Sequence, residues 1–343
     1  MKLVILNSDP KECTYGGVAP IMRNMHPFLS KAYEVEYCYT PASWDRVPGP
    51  HRLKTLLYVL SRRKMLQKAD FILSHIPEGS FVASLTDTPY AHIYHGNTNP
   101  MEVSRFKLGK LFSSVYKLFF KRIEKTAAVT YTVGPVFGST KKMWNPINHN
   151  VKVKRIEERS GFIFAGRLES PKNIDRIIRI YSSLPEDIIR QNDLYIAGTG
   201  SQEKRLKQIA DDEGCREHIH FLGSLDNRDL IEEESCRLLM LMASDYEGMP
   251  TAIAEALSVG VPVVTTAAGD IPSIIQDGSN GLLLSLDCSD DEYKQAIIIA
   301  LSNIGYMSRQ AFESSKIFDA EVIVGSIISD IDDILRKRYP SNC

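Results

Sequence analysis

Short apolar runs alternate with amphipathic stretches along the whole chain. In the first half the runs are "KLVIL" (2–6), "YEVEYCY" (33–39), "DFILS" (70–74), "YAHIY" (90–94) and "AVTYTV" (128–133). Their length and their β-branched and aromatic content are those of strands. Helical patterns lie between them, near 18–30, 51–67 and 103–126. The second half repeats this with "GFIFAG" (161–166), "DLYIAG" (193–198), "HIHFLG" (218–223), "RLLMLMAS" (237–244) and "PVVTT" (262–266). Helices fit near 172–183, 201–213, 226–234 and 250–259. Strands alternating with helices predict parallel sheets built from βαβ units. Apolar positions 322, 323, 327, 328, 331, 334 and 335 give the stretch 320–338 one helical face.

The polar stretch "KMWNPINHNVKVKRIEERS" (142–160) has no amphipathic period and reads as a connector. The expected architecture is α/β: two doubly wound, Rossmann-like domains facing a cleft. The first spans 1–145, a linker 146–160, the second 161–320, and a C-terminal helix at 321–343 returns toward the first. The length of 343 residues suits two domains.

Charge changes the picture. Residues 1–150 carry 20 Lys+Arg against 10 Asp+Glu, a balance of +10; residues 151–343 carry 21 against 32, a balance of −11. A basic half suggests an anionic partner such as nucleic acid, an anionic membrane surface or a phosphorylated lipid. The stretch "RFKLGKLFSSVYKLFFKRIEK" (105–125) holds seven of these cations, interleaved with Leu108, Leu111, Phe112, Val115 and Phe119 at helical spacing. It reads either as a helix resting on anionic lipid or as a packed helix with its lysines in water. No recognised nucleic-acid module is present, so no nucleic-acid partner is expected. The six cysteines form no C-x-x-C pair, and the opening "MKLVILNSDPKE" has an apolar run of only four residues. Both favour reduced thiols and a cytoplasmic protein, peripheral on the inner face of the membrane at most.

Candidate chemistry concentrates in the second half. "AGTGSQEKRL" (197–206) contains Gly198 and Gly200, but Glu203 occupies the third glycine position of a dinucleotide fingerprint. A P-loop is absent from the sequence. In "FIFAGRLESPKN" (162–173) a strand ends at Gly166 and is followed by Arg167 and Lys172. The two cations could neutralise a diphosphate or form ordinary surface ion pairs. In "EGMPTAIAEALSVGVPVV" (247–264) Pro250 suits the first turn of a helix, which leaves Glu247 in the preceding loop. The N–H groups of Gly248, Met249 and Thr251 can hold oxygen atoms there. Glu255 falls inside the helix among small apolar residues, where a carboxylate needs hydrogen-bond donors such as sugar hydroxyls.

Several stretches in order and spacing carry a family resemblance: "GRLESPKN", "LYIAGTGSQEKRL", "IHFLGSL", "SDYEGMPTAIAEALSVGVPVVTT" and "QDGSNGLLL". The chain resembles the GT-B retaining glycosyltransferases of family 4, the glycosyl transferases group 1 type. The resemblance implies transfer of a sugar, with retention, from a UDP- or GDP-sugar to an acceptor hydroxyl; a GT-B phosphorylase or epimerase, or a non-catalytic nucleotide-sugar binder, would share the fold. It implies that Arg167 and Lys172 meet the donor diphosphate and that Glu247 contacts donor-sugar hydroxyls. Gly248, Met249, Pro250 and Thr251 would line that sugar, and Glu255 would hold the ribose. Leu222 would present backbone to the nucleobase, with Gly166 and Gly198 at the donor-side strand ends. In the first domain, Gly16 and Gly17 would approach the donor phosphate, and His95 of "IYHGN" matches an active-site histidine. Family members carry a glutamate where this chain has Ser273 of "AGDIPS". No Asp-x-Asp motif stands where a divalent ion would be needed, so no metal and no cofactor beyond the nucleotide-sugar co-substrate are expected. The implied acceptor is a glycan or a lipid-linked molecule, as in surface polysaccharide synthesis.

Overall fold

The computed structural model describes residues 1–7, 18–46, 50–95, 109–134, 136, 138–148 and 152–339. Contacts divide the chain into two units, Met1–Pro146 with Ala320–Cys343, and Ile147–Asp319.

Among the described residues the first unit holds one parallel sheet. Its strands are β1 (Lys2–Leu6), β2 (Glu34–Cys38), β3 (Phe71–Ser74), β4 (Tyr90–His95), β5 (Val129–Val133) and the two-residue β6 (Lys141–Lys142). Their spatial order is β2-β1-β3-β4-β5-β6. The order reverses between β1 and β3, and ligands of such sheets bind beyond the carboxyl ends at that point. Leu3, Val4, Ile5, Leu6, Ile72 and Leu73 are buried on both sheet faces, which is why these strands read as continuous apolar runs. The C-terminal helix Ala320–Arg338 belongs to this unit. Tyr33 donates to Asp332 at 2.7 Å, Tyr131 donates to Asp330 at 2.7 Å, and Lys141 pairs with Asp330 at 2.7 Å.

The second unit contains β7 (Phe162–Ala165), β8 (Leu194–Ala197), β9 (Ile219–Gly223), β10 (Leu239–Met242), β11 (Val263–Thr266) and β12 (Gly281–Leu284). Their parallel order is β12-β11-β10-β7-β8-β9, which reverses between β7 and β10. Fully buried Tyr293 donates to the carbonyls of Met242 (2.9 Å) and Val264 (2.7 Å), tying the end of β10 to β11. Residues 154–160 are fastened to this unit through Arg159. Its guanidinium donates to the carbonyls of Val259 (3.0 Å) and Gly260 (2.7 Å), just beyond the helix Thr251–Ser258. A cation at a helix carboxyl end also meets the negative end of its dipole.

The ten expected strands are present; β6 and β12 were not anticipated. The expected helix at 51–67 is broken at Arg62 into His51–Ser61 and Arg63–Leu66. In the 103–126 stretch the helix is seen over Gly109–Thr126, and 103–108 lie outside the described residues. Tyr116, Phe119, Phe120 and Ile123 form its inward face, with Phe119 stacked on Phe81 at 4.4 Å. Lys117, Leu118, Lys121 and Arg122 are exposed. Helices Pro77–Ala83, Glu186–Gln191, Asp290–Ser302 and Ile304–Ser314 also lay outside the expectation. The third of these carries a sequence signal, the capping box of Ser289 and Glu292.

Candidate active site

The loop after β7 and the loop after β10 are stitched together. Gly166 N donates to Ala197 O at 3.0 Å and Leu168 N to Thr199 O at 2.9 Å, so the β7 and β8 ends travel side by side. Gly198 makes this possible: its φ is +138°, and a Cβ there would meet Gly166 O at 1.9 Å. Asn173, at φ +47°, donates to Ala243 O (3.0 Å) and Asp245 Oδ1 (2.6 Å), and Asp245 N donates to Pro171 O (3.0 Å). These bonds bring Lys172 to Glu247. The ammonium Nζ lies 2.5 Å from Glu247 Oε1, and Ser244 Oγ donates to the same oxygen at 2.7 Å. Glu247 is 8% exposed, and this pair sits where the strand order reverses. Arg167, in the same loop after β7 as Lys172, is exposed and makes no side-chain bond among the described residues.

Gly269 holds the other side of the Glu247 loop. With φ +57°, it packs so closely that a Cβ would stand 1.7 Å from Glu247 O. Ser273 is exposed and donates to Asp270 O at 2.7 Å. Gly248, Met249 and Pro250 lead into the helix Thr251–Ser258, with Met249 and Pro250 buried. Pro250 is the N-cap and not a first-turn residue: its ψ of 117° is extended, and Thr251 is the first helical residue.

Glu255 is buried in that helix and accepts from Asn227 Nδ2 at 2.5 Å. Asn227 opens the helix Asn227–Ser235, whose N-cap Asp226 accepts from Asp229 N at 2.9 Å. Ile231 and Glu234 follow Asn227 on the same helical face. Glu234 is fully buried, and neither carboxyl oxygen has a hydrogen-bond partner among the described residues. Burial first, and the charge of Glu255 second, push its carboxyl well above the usual range. Its protonated form is therefore favoured in the folded chain. A carboxyl with a raised folded pKa costs stability as pH climbs above the unfolded value, about 4.3. Glu234→Gln removes this cost. The variant's gain in stability over the parent is expected to be larger at pH 8 than at pH 5. Melts at the two pH values check it; equal gains at both would mean that Glu234 is not a titrating burden.

Leu222 is half-buried in β9. Gly16 and Gly17 lie outside the described residues. His95 ends β4 in the first unit, partly exposed, with its Nε2 2.8 Å from Nδ1 of His75. His75, Asn173, Asn227, Ser244 and Gly269 were not singled out by the sequence. His75 alone had a legible signal, a histidine standing directly after the strand "DFILS". A cavity of about 570 Å³ opens instead at the amino end of β4, lined by Thr88, Tyr90, Thr126, Lys337 and Arg338. Thr88 donates to Leu66 O (2.9 Å) and Tyr90 bonds Thr126 (2.6 Å), so its hydroxyls are already engaged. Among the described residues no three metal-ligating side chains converge, and no helix is long and apolar enough to cross a membrane.

Residues 147–315 match the family described as glycosyl transferases group 1. This stretch, just under half of the chain, is similar to that family. A glycosyltransferase of Methanocaldococcus jannaschii is 26% identical to it over 233 residues, 62% of this chain and 59% of that protein. The matched region thus spans less than two thirds of that relative. Among solved structures, sucrose-phosphate synthase from Thermosynechococcus elongatus superposes with a TM-score of 0.78 at 14% identity, over 99% of this chain and 100% of that one. Anabaena HepE in complex with UDP gives 0.73 at 16% identity, over 97% and 100%. At these identities the structural likeness establishes the fold, which is GT-B. The family-matched region contains Arg167, Lys172, Glu247 and Glu255, and the His75–His95 pair lies outside it.

Proposed function

We propose that this glycosyltransferase moves a sugar from a nucleotide-sugar donor, a UDP- or GDP-sugar, to an acceptor hydroxyl with retention of configuration and without a metal ion. The observation that carries the proposal is the Lys172–Glu247 pair, held at the carboxyl end of β7 and β10, with Arg167 exposed in the same loop after β7. An ammonium has three N–H donors, so Lys172 can bond Glu247 and still reach phosphate oxygens. Departure of a nucleoside diphosphate concentrates negative charge on its phosphate, and fixed cations stabilise that charge as it develops. Glu247 then accepts from sugar hydroxyls next to Lys172. Glu255, already oriented by Asn227, accepts from the ribose hydroxyls, and the Leu222 backbone meets the base. With no side chain assigned as nucleophile, a donor phosphate oxygen takes the acceptor proton on the same face. The crystallised UDP complex of HepE supports a nucleotide donor.

The acceptor is a glycan or a lipid-linked molecule, plausible in surface polysaccharide synthesis. The basic first unit supports peripheral binding to anionic membrane, with exposed Leu53, Leu57 and Leu118 among its lysines and arginines. A thermal-shift screen of nucleotide sugars tests the donor reading. A ligand at 100 times its Kd stabilises the native state by about 2.7 kcal/mol. The true donor should raise the melting temperature, and the same sugar should appear on an added acceptor by mass spectrometry. No shift with any nucleotide sugar overturns the reading; a shift without transfer to any acceptor would replace it by a non-catalytic binder.

A further inference from the structure

The histidines at the carboxyl ends of β3 and β4 form a matched pair. β3 and β4 run parallel with Ser74 opposite His92, so the residue after β3 falls level with Ile93, and His95 follows two positions on, on the same sheet face. The His75 and His95 rings stack at 5.1 Å and 15°. His75 Nδ1 and His95 Nε2 are 2.8 Å apart, and His75 Nε2 is buried without a hydrogen-bond partner among the described residues.

A contact between two ring nitrogens needs one N–H and one lone pair. If His75 accepted, its single proton would sit on Nε2, leaving a buried donor without a partner, which carries the full cost of its desolvation. If His75 donates, only a lone pair is left unpartnered. We propose that His75 is a positioning residue: it donates Nδ1–H to His95 Nε2 and so fixes His95 as the tautomer that carries its proton on Nδ1. His95 then offers an N–H to an oxygen of the substrate and has no lone pair free to act as a general base. This rests on reading His95 as an active-site residue. It fits a reaction in which the donor's own phosphate accepts the acceptor's proton.

The surroundings keep the pair neutral. Burial holds His95 down to about 4, and burial together with the neighbouring His95 and His92 holds His75 well below the usual imidazole range. His92, on β4, bonds Ser80 Oγ at 2.7 Å. Glu78, from the adjoining helix Pro77–Ala83, is occupied by Tyr116 and Arg52.

The test is nitrogen-15 NMR of histidine-labelled full-length protein, together with kinetics. Long-range nitrogen–proton correlations should show His95 protonated on Nδ1, and His75→Phe should convert it wholly or partly to the Nε2–H form. His75→Phe should lower kcat by about tenfold or more with the donor KM unchanged. His75→Asn, whose amide can donate from nearly the place of Nδ1, should recover most of the rate; its melting temperature checks folding. His95 found as the Nε2–H tautomer in the parent, or unmoved in His75→Phe, overturns the proposal. If His95→Ala is fully active while the tautomer result stands, the active-site reading of His95 fails and the pairing survives as structure.

Discussion

Lys172→Ala is expected to lower kcat for sugar transfer by about 10²–10³-fold, the cost of losing one preorganised group at a developing oxyanion. Arg167→Ala should cost a similar factor, and the double variant should show no measurable transfer. The two losses differ in kind. Arg167 is exposed and unbonded among the described residues, so its removal should leave stability nearly unchanged. Lys172 compensates Glu247, whose side chain is 7% exposed against 18% for the lysine. Removing the lysine leaves a nearly buried carboxylate with Ser244 as its remaining side-chain donor among the described residues. Breaking a buried pair costs about 3–5 kcal/mol, and partial exposure of the lysine brings this toward the lower end. The decisive comparison is Lys172→Ala with Lys172→Ala/Glu247→Gln. Neutralising the orphaned acid should restore most of the melting temperature and none of the rate. If the double variant regains activity along with stability, Lys172 serves only to hold Glu247, and the diphosphate site is elsewhere. Full activity in Arg167→Ala/Lys172→Ala would discard the site altogether.

Much of this site was legible because its parts are local. Arg167 and Lys172 follow a strand in the sequence, and Glu247 stands before a helix, so each could be placed by its own segment. What was not legible is which of them touch. The Lys172–Glu247 bond depends on Asn173 reaching Ala243 and Asp245 across 70 residues of chain. Asn227 on Glu255 spans 28 residues, and Gly269 against Glu247 is a contact of backbones that no side-chain pattern announces. The same holds for the fold. Strands buried on both faces stand out as apolar runs, whereas β12 is four residues with three half-buried positions, and β6 is a pair of lysines. The helix Gly109–Thr126 was read two ways from its charges. Tyr116, Phe119, Phe120 and Ile123 face inward, while its outer face keeps Leu118 among cations. A packed helix with a basic outer face satisfies both patterns.

Acidification from pH 7 to 5.5 should lower the melting temperature of the first unit by about 10 °C. Burial holds His92 down to about 3 and His95 to about 4, with His75 also well below the ordinary value near 6.5. Below pH 6.5 the unfolded chain binds these protons and the folded chain does not. Each histidine therefore removes about 1.4 kcal/mol of stability per pH unit until its folded pKa is reached. The three together approach ~4 kcal/mol per unit, against a total stability of about 5–15 kcal/mol for a domain. A loss of 1 kcal/mol lowers the melting temperature by about 2–4 °C in a unit of this size. The two tryptophans, Trp44 and Trp144, both lie in the first unit, so tryptophan fluorescence follows its unfolding selectively. Replacing His92 and its partner together, as His92→Phe/Ser80→Ala, removes one titrating ring without orphaning the hydroxyl. The slope of melting temperature against pH should then fall by about a third. A parent protein with flat tryptophan melts between pH 7 and 5.5 would show that the histidines charge freely in the fold. Glu234, in the second unit, titrates with the opposite sign, so its stability cost grows as pH rises while the histidine cost fades.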